Sequence, residues 1–292
     1  MLRYHAQDKL TLQRITYIFD RFLCSDQNDP SVEFMLLAEA QASFVQAIVT
    51  PSLDATVYYR YPEEEWTRWP HQDTPFPPLQ AYPLKDRFLV LHGCAIVTPS
   101  GKAIAFIAPS MAGKTTLLME LCRRGYSALS DDLLFIEPAS NQIVLYRKPV
   151  GVREGALPLF PELVHSNVLR QALCFEAYGS SPKTWLVHLD ELMPNCYYSH
   201  PLAPIQACVF LDRDGKGGVK PIEPSQAILH MLPQVISSGL NAAKTLQCVV
   251  ELVEQNPAYC LDVTNLNQAC DHIEHLVENV LAHSVTLSHK LL

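Results

Sequence analysis

An α/β fold is what the sequence predicts, and three observations carry that prediction. An apolar run, Ala103-Ile-Ala-Phe-Ile-Ala108, stops at Pro109-Ser-Met-Ala-Gly-Lys-Thr115 and gives way to Thr116-Leu-Leu-Met-Glu-Leu-Cys122 at helical spacing. That order reads as a buried strand, a phosphate-binding loop and a helix. Short strands and amphipathic helices then alternate as far as Leu281, which fits a mixed sheet with flanking helices. Finally, the texture changes near residue 85. The chain therefore divides into a smaller α+β N-terminal region over 1–85, whose role no motif indicates, and a phosphate-loop domain over 86–292.

In the first region, Leu12 to Leu23 mixes apolar and charged residues, and Val32 to Ile48 suits helix or strand equally. Ala55-Thr-Val-Tyr-Tyr-Arg-Tyr61 is rich in β-branched and aromatic residues and predicts a strand. Six prolines between Pro62 and Pro83 mark a linker or extended surface segment, with Glu63 to Glu65 as a solvated acidic bend. Trp66, Trp69 and, further on, Trp185 read as packing residues.

From Phe88 the strands become dense. Phe88 to Val97 and Ala103 to Ala108 flank Ser100-Gly101, a hairpin turn signal. The helix after the loop ends at Arg123-Arg124-Gly125, with cations in its last turn and glycine beyond it. Tyr126 to Ile136 predicts one strand carrying Asp131 and Asp132 in its middle, Ile143 to Tyr146 another, and Lys148 to Gly155 a loop. His188, Asp190 and Glu191 read as an exposed edge. Ile205 to Leu211 is a buried strand and Asp212 to Gly218 a turn. Helices follow over Gln226–Ile236 and about Ala242–Val253, then a strand over Tyr259–Val263 and an amphipathic helix over Leu266–Leu281.

Composition narrows the function classes. The 292 residues are 48% hydrophobic and 18% charged, as in an ordinary globular enzyme. A formal net charge of -8 without any basic block argues against nucleic acid as a partner. Nine cysteines without a C-x-x-C pair argue for reduced thiols and against a zinc site or disulfide framework. The polar N-terminus and the absence of a long apolar run point to a cytoplasmic protein with no membrane partner.

Chemistry concentrates around the loop. A strand leading into a helix N-terminus aims backbone N–H groups at one anion. Lys114 would reach the terminal phosphates of a nucleotide and the Thr115 hydroxyl would ligate Mg²⁺. Phosphoryl transfer also needs a carboxylate and a counter-cation, and Asp131-Asp132 supplies the first. In a regular strand only one of the two can face the nucleotide, though a bend would bring in both. His92 in an apolar strand reads, on spacing alone, more as a core histidine than as a catalyst.

Taken together, His92-Gly93, the loop Ala108–Thr115 and Arg124-Gly125-Tyr-Ser-Ala-Leu-Ser-Asp-Asp132 resemble the kinase domain of HPr kinase/phosphorylase. They look closer still to the HprK-related kinases of peptide-modifying (RiPP) gene clusters. The resemblance spans Phe88 to Glu154 and continues more weakly to the C-terminal strand and helix. It implies a P-loop HPr kinase-like core and an ATP- and Mg²⁺-dependent kinase acting on a hydroxyl of a peptide or protein, such as a Ser or Thr of a precursor peptide. Ser110, Met111, Ala112, Gly113, Lys114, Thr115 and Thr116 would hold the nucleotide phosphates. Asp131 would be the base, His92 would lie beside the phosphates, Thr115 and Asp132 would hold the metal, and Arg153 would contact phosphate or acceptor. HPr kinases form hexamers, which leaves a homo-oligomer open here.

The chain also departs from the family pattern. Ala108 and Met111 stand where the family loop has glycine; the alanine strains the loop if its position needs φ > 0, and the methionine places bulk at the nucleotide mouth. Thr116 replaces a Glu, and Val150-Gly-Val-Arg-Glu-Gly155 is only a loose counterpart of the family's glycine-rich signature. Phosphorylase activity and HPr as substrate are therefore not expected. The altered loop keeps a second reading open, a catalytically weak or inactive scaffold that binds a precursor peptide or partner protein. A third is a phosphate-loop enzyme that hydrolyses nucleotide or phosphorylates a small molecule, although no N-K-x-D or ABC-type signature is present.

Overall fold

The computed structural model describes residues 2–6, 9–22, 32–38, 55–60, 63, 65, 67–68, 88–176, 183–213, 217–236 and 240–281. It is a mixed α/β structure of two compact units, Met1–Leu84 with Lys148–Leu192, and Lys85–Arg147 with Met193–Leu292. The segment Lys148–Leu192, read from sequence as part of one domain over 86–292, groups with the first unit.

The second unit is built on eight strands, the central ones buried on both faces and therefore needing cover on both. They are Leu89–Val97 (β1), Ala103–Ile107 (β2), Ser127–Ser130 (β3), Leu133–Glu137 (β4), Gln142–Val144 (β5), Leu202–Asp212 (β6), Val219–Pro221 (β7) and Ala258–Asp262 (β8). They form one eight-stranded sheet ordered β7-β8-β6-β2-β1-β4-β5, with β3 also paired to β1 and β5 also paired to β6. The pairings thus run in a circuit, β1–β2–β6–β5–β4 and back to β1. The long strands β1 and β6 make this possible by changing partners midway. Residues Leu89 to His92 of β1 pair with β4 and Gly93 to Val97 with β2.

Helices cover the sheet: Lys114–Arg123 (α1), Pro224–Met231 (α2), Ala242–Gln255 (α3) and Leu266–His275 (α4). On one face Ala227, Met231, Cys248, Val249, Leu252 and Val253 pack over alternate residues Leu89, Leu91, Ala95, Val97, Ala103, Ala105 and Ile107. Helix α1 packs on β1 and against α4, burying Leu117, Leu118 and Leu121. The Arg123-Arg124-Gly125 stop signal works as expected. Gly125 takes φ 98°, its N–H donates to Cys122 O and that of Tyr126 to Leu121 O, the two bonds of a glycine-terminated helix end. Arg124 then pairs with Asp271 at 2.6 Å and Glu274 at 3.0 Å on α4.

Several expectations need correction. The single strand over 126–136 is two, β3 and β4, broken at Asp131-Asp132, where Asp132 adopts φ 69°. Two adjacent carboxylates cannot both be buried in a ladder at low cost, and the bend gives each its own surroundings. The loop expected at 148–155 holds a strand, Val150–Arg153, with Val150 and Val152 buried and the intervening positions not; glycines and charges masked that alternation. The helix over 226–236 ends at Met231 in a single 3₁₀ turn, and the one over 266–281 closes in a π-helical turn over Leu276–Leu281.

The first unit holds a four-stranded sheet, Leu2–Ala6, Val32–Ala38, Ala55–Arg60 and Thr67–Arg68 in that order. Its three-stranded antiparallel sheet places Lys183–Val187 between Val150–Arg153 and Leu173–Glu176. Helix Lys9–Phe19 docks on the central strand, with Tyr17 Oη donating to Leu186 O at 2.8 Å. His188, read as an exposed edge, is buried and sits 2.7 Å from Tyr17 O through Nε2, while Asp190 receives Arg21 at 3.0 Å. Glu63 and Glu65 are exposed. Trp66, Trp69, residues 39–48 and most of the proline-rich stretch lie outside the described residues. Among the described residues no helix is long and apolar enough to cross a membrane, and no disulfide joins the eight described cysteines.

Candidate functional site

The site grows from the end of β2. Strand β2 is fully buried and stops at Ile107; the chain turns through Ala108–Gly113 and α1 begins at Lys114. Gly113 is the residue before the helix, at φ 102°, and as a glycine it supplies no side-chain cap of its own. A helix start of this kind has the electrostatics an anion favours, because its first N–H donors and its dipole face the same way.

Lys114 is buried at 6% exposure. Its Nζ donates to the carbonyl oxygens of Ala108 and Pro109, both at 2.8 Å, so the ammonium is folded into the loop. Thr115 Oγ1 donates to both oxygens of the Asp131 carboxylate, at 3.0 and 3.1 Å. Asp131 is buried, whereas the Asp132 side chain is about half exposed and lies 3.3 Å from His92 Nε2. The bend at 131–132 thus brings both carboxylates into one neighbourhood with opposite surroundings. Asp132 also closes the corner through its backbone, its carbonyl accepting from Gly93 N at 3.2 Å.

Gly93 is needed there. A Cβ on it would lie 2.6 Å from Leu134 Cδ1 and 2.7 Å from Phe106 O. The His-Gly pair is therefore a point where β1 passes closely between β2 and β4, with His92 set toward Asp132. Cys94, one residue on, donates weakly through Sγ to Lys114 O at 3.5 Å. Burial, with Asp131 nearby, pushes its thiol well above the ordinary range. Cys94 is thus a neutral packing group under the loop, not a nucleophile.

The structure locates the expected strain differently from the sequence. Ala108 is buried and is not among the residues with positive φ, so its methyl carries no backbone penalty. Met111 takes φ 68° and is 64% exposed. A left-handed conformation costs a non-glycine residue about 1–2 kcal/mol, and here that cost falls on Met111 alone among the non-glycine residues of the loop.

Of the residues singled out by sequence, His92, Ser110–Thr116, Asp131 and Asp132 come from adjoining elements of one unit. Arg153 belongs to the first unit, where it ends strand Val150–Arg153 opposite Thr184. One residue was missed. Arg213, read as part of a turn, follows β6 directly, and a Cβ on Gly113 would lie 3.2 Å from its Nη2.

The donor set is one hydroxyl and two carboxylates, all hard oxygens of the kind that suit Mg²⁺. No group of three or more His, Cys, Asp or Glu among the described residues could hold a metal by itself. Thr115 and the carboxylates would hold such a cation only as part of a fuller coordination shell.

No protein-family model matches the chain. Among solved structures it is similar to the Hpr(Ser) kinase/phosphatase from Coxiella burnetii, with 12% sequence identity and a TM-score of 0.33 over 68% of this chain and 98% of that one. Similarity at that level leaves the functional reading to rest on the geometry of the site.

Proposed function

We propose that the chain is an ATP-dependent phosphotransferase acting on a hydroxyl, with a Ser or Thr of a peptide or protein as the acceptor. The observation that carries this reading is the Thr115–Asp131 hydrogen bond, next to a lysine folded into a helix start whose N-cap is glycine. A hydroxyl and a carboxylate joined beside an anion site are what a metal–triphosphate would need to find.

Burial supports a division of labour between the carboxylates. Asp131, enclosed and bonded to Thr115, is the metal-side group. Asp132, half exposed and beside His92, is the group an incoming hydroxyl can reach, so it would take the proton; the resemblance alone assigns these two roles the other way round. In the transfer, the acceptor oxygen forms a bond to the γ-phosphorus as its proton passes to the carboxylate. The bond from that phosphorus to the bridging oxygen breaks, and ADP leaves with the electron pair. Mg²⁺ bound with the nucleotide would neutralise charge on the β- and γ-phosphates. Backbone N–H groups of the loop and Lys114 hold the phosphates in line.

Calorimetry and a mass-based transfer assay with ATP, Mg²⁺ and peptides encoded beside the gene test the reading. Asp132→Asn should lower turnover roughly 100-fold or more with nucleotide affinity kept, and Asp131→Asn should weaken Mg²⁺-dependent ATP binding. Absence of any Mg²⁺-dependent nucleotide binding by the unmodified protein would sink the proposal. The strained, exposed Met111 favours a second reading, a scaffold that binds its peptide without transfer. In that case peptide affinity survives Lys114→Ala and no phosphate mass increment is seen.

A further inference from the structure

We propose that Arg213 is a phosphate-binding residue of the site, holding the part of the phosphate chain nearest the nucleoside. This rests on the nucleotide reading above and deepens it.

The sheet topology places Arg213. Strands β2, β6 and β8 run parallel as neighbours, with Phe210 opposite Ile107 and Asp212 opposite Asp262. Their C-terminal ends therefore open on the same edge of the sheet, where ligands bind in open α/β folds. The phosphate loop leaves from the end of β2, and Arg213 leaves from the end of β6 beside it. Asp212 fixes the departure, its Oδ1 accepting from Arg213 N at 2.6 Å. The guanidinium then lies over the Gly113 backbone, 3.2 Å from where a side chain would begin.

That position is specific within the loop. Lys114 sits with the leading half, bonded to the carbonyls of Ala108 and Pro109. Arg213 flanks the other half, at the residue that starts the helix. Loop N–H groups at the helix start cradle the α- and β-phosphates, while the lysine reaches toward the β- and γ-phosphates. The two cations thus bracket the phosphate chain from its two ends, and Arg213 touches groups that ATP and ADP share. A planar guanidinium presents several donors to phosphate oxygens, which an ammonium does as a point charge only. A side chain at Gly113 would in turn push the guanidinium aside by a few tenths of an ångström.

The test is calorimetric titration of the full chain and its Arg213→Ala and Arg213→Lys variants with ATP, ADP and inorganic pyrophosphate, each with Mg²⁺. Circular dichroism melting checks that the variants are folded. Arg213→Ala should weaken ATP and ADP to a similar extent, roughly 10- to 100-fold as expected for lost charge-assisted hydrogen bonds, with Arg213→Lys in between and an unchanged melting point. A merely structural arginine would shift melting without this graded, nucleotide-directed loss. If the unmodified chain binds nucleotide and Arg213→Ala binds it equally well, or loses ATP affinity alone, this proposal falls and the nucleotide reading stands. If the unmodified chain binds neither nucleotide nor pyrophosphate, both fall together.

Discussion

The leading and trailing halves of the loop between β2 and α1 differ in what holds them. The leading half, Ala108-Pro109, has ordinary backbone and is pinned by Lys114 through two carbonyl oxygens. The trailing half, Met111 to Gly113, contains two left-handed residues, and its tip is exposed. A glycine absent from the leading half has no conformational consequence, because nothing there needs φ > 0. A glycine absent from the trailing half does. Two substitutions that look alike against a motif are therefore unlike in physics.

Lys114→Ala should break the leading half most severely. Phosphate transfer should fall by roughly 100- to 1,000-fold, the range for loss of one preorganised charge-stabilising group, read as product mass per unit time. If transfer persists, the lysine is a structural clasp only. Gly113→Ala attacks the trailing half, setting a methyl at φ 102° against the Arg213 guanidinium. A loss of about 1–3 kcal/mol in a denaturant melt is expected, and nucleotide affinity should drop with it. A silent Gly113→Ala would show that the loop's left-handed turn is dispensable.

Restoring glycine at each departure gives the sharpest contrast. Ala108→Gly should destabilise by about 1 kcal/mol, through a lost buried methyl and a freer unfolded chain. Met111→Gly should stabilise by about 0.5–1 kcal/mol, the relief of left-handed strain exceeding the added chain entropy. Equal signs in the two melts would overturn the distinction between the halves.

What could be read beforehand depended on how local the physics was. The strand, loop and helix of residues 103–122 and the stop at Arg124-Gly125 are set by neighbours in sequence, and both are found as expected. The break at Asp131-Asp132 was hidden, because strand propensity runs straight through it and the partner that draws Asp131 inward is Thr115 on another element. His188 offered no signal of burial, since its partner is the Tyr17 carbonyl on a helix distant in sequence. Arg213 was illegible for the same reason, as its nearness to Gly113 follows from β6 lying parallel to β2. The paired carboxylates could be seen but not told apart until their burial was known.

The circuit of strand pairings has a kinetic meaning. Strand β2 carries the phosphate loop but receives one of its two neighbours, β6, only from the last third of the chain. That same strand closes the ring by pairing with β5. A growing chain that stops short of Leu202 holds every residue of the loop but lacks one of the two strands that flank β2. Contacts of such long range form late because loop closure must precede them. Under the proposed reading, nucleotide capture would be tied to completion of the sheet, and ligand affinity in a refolding experiment would serve as a clock for its final closing step.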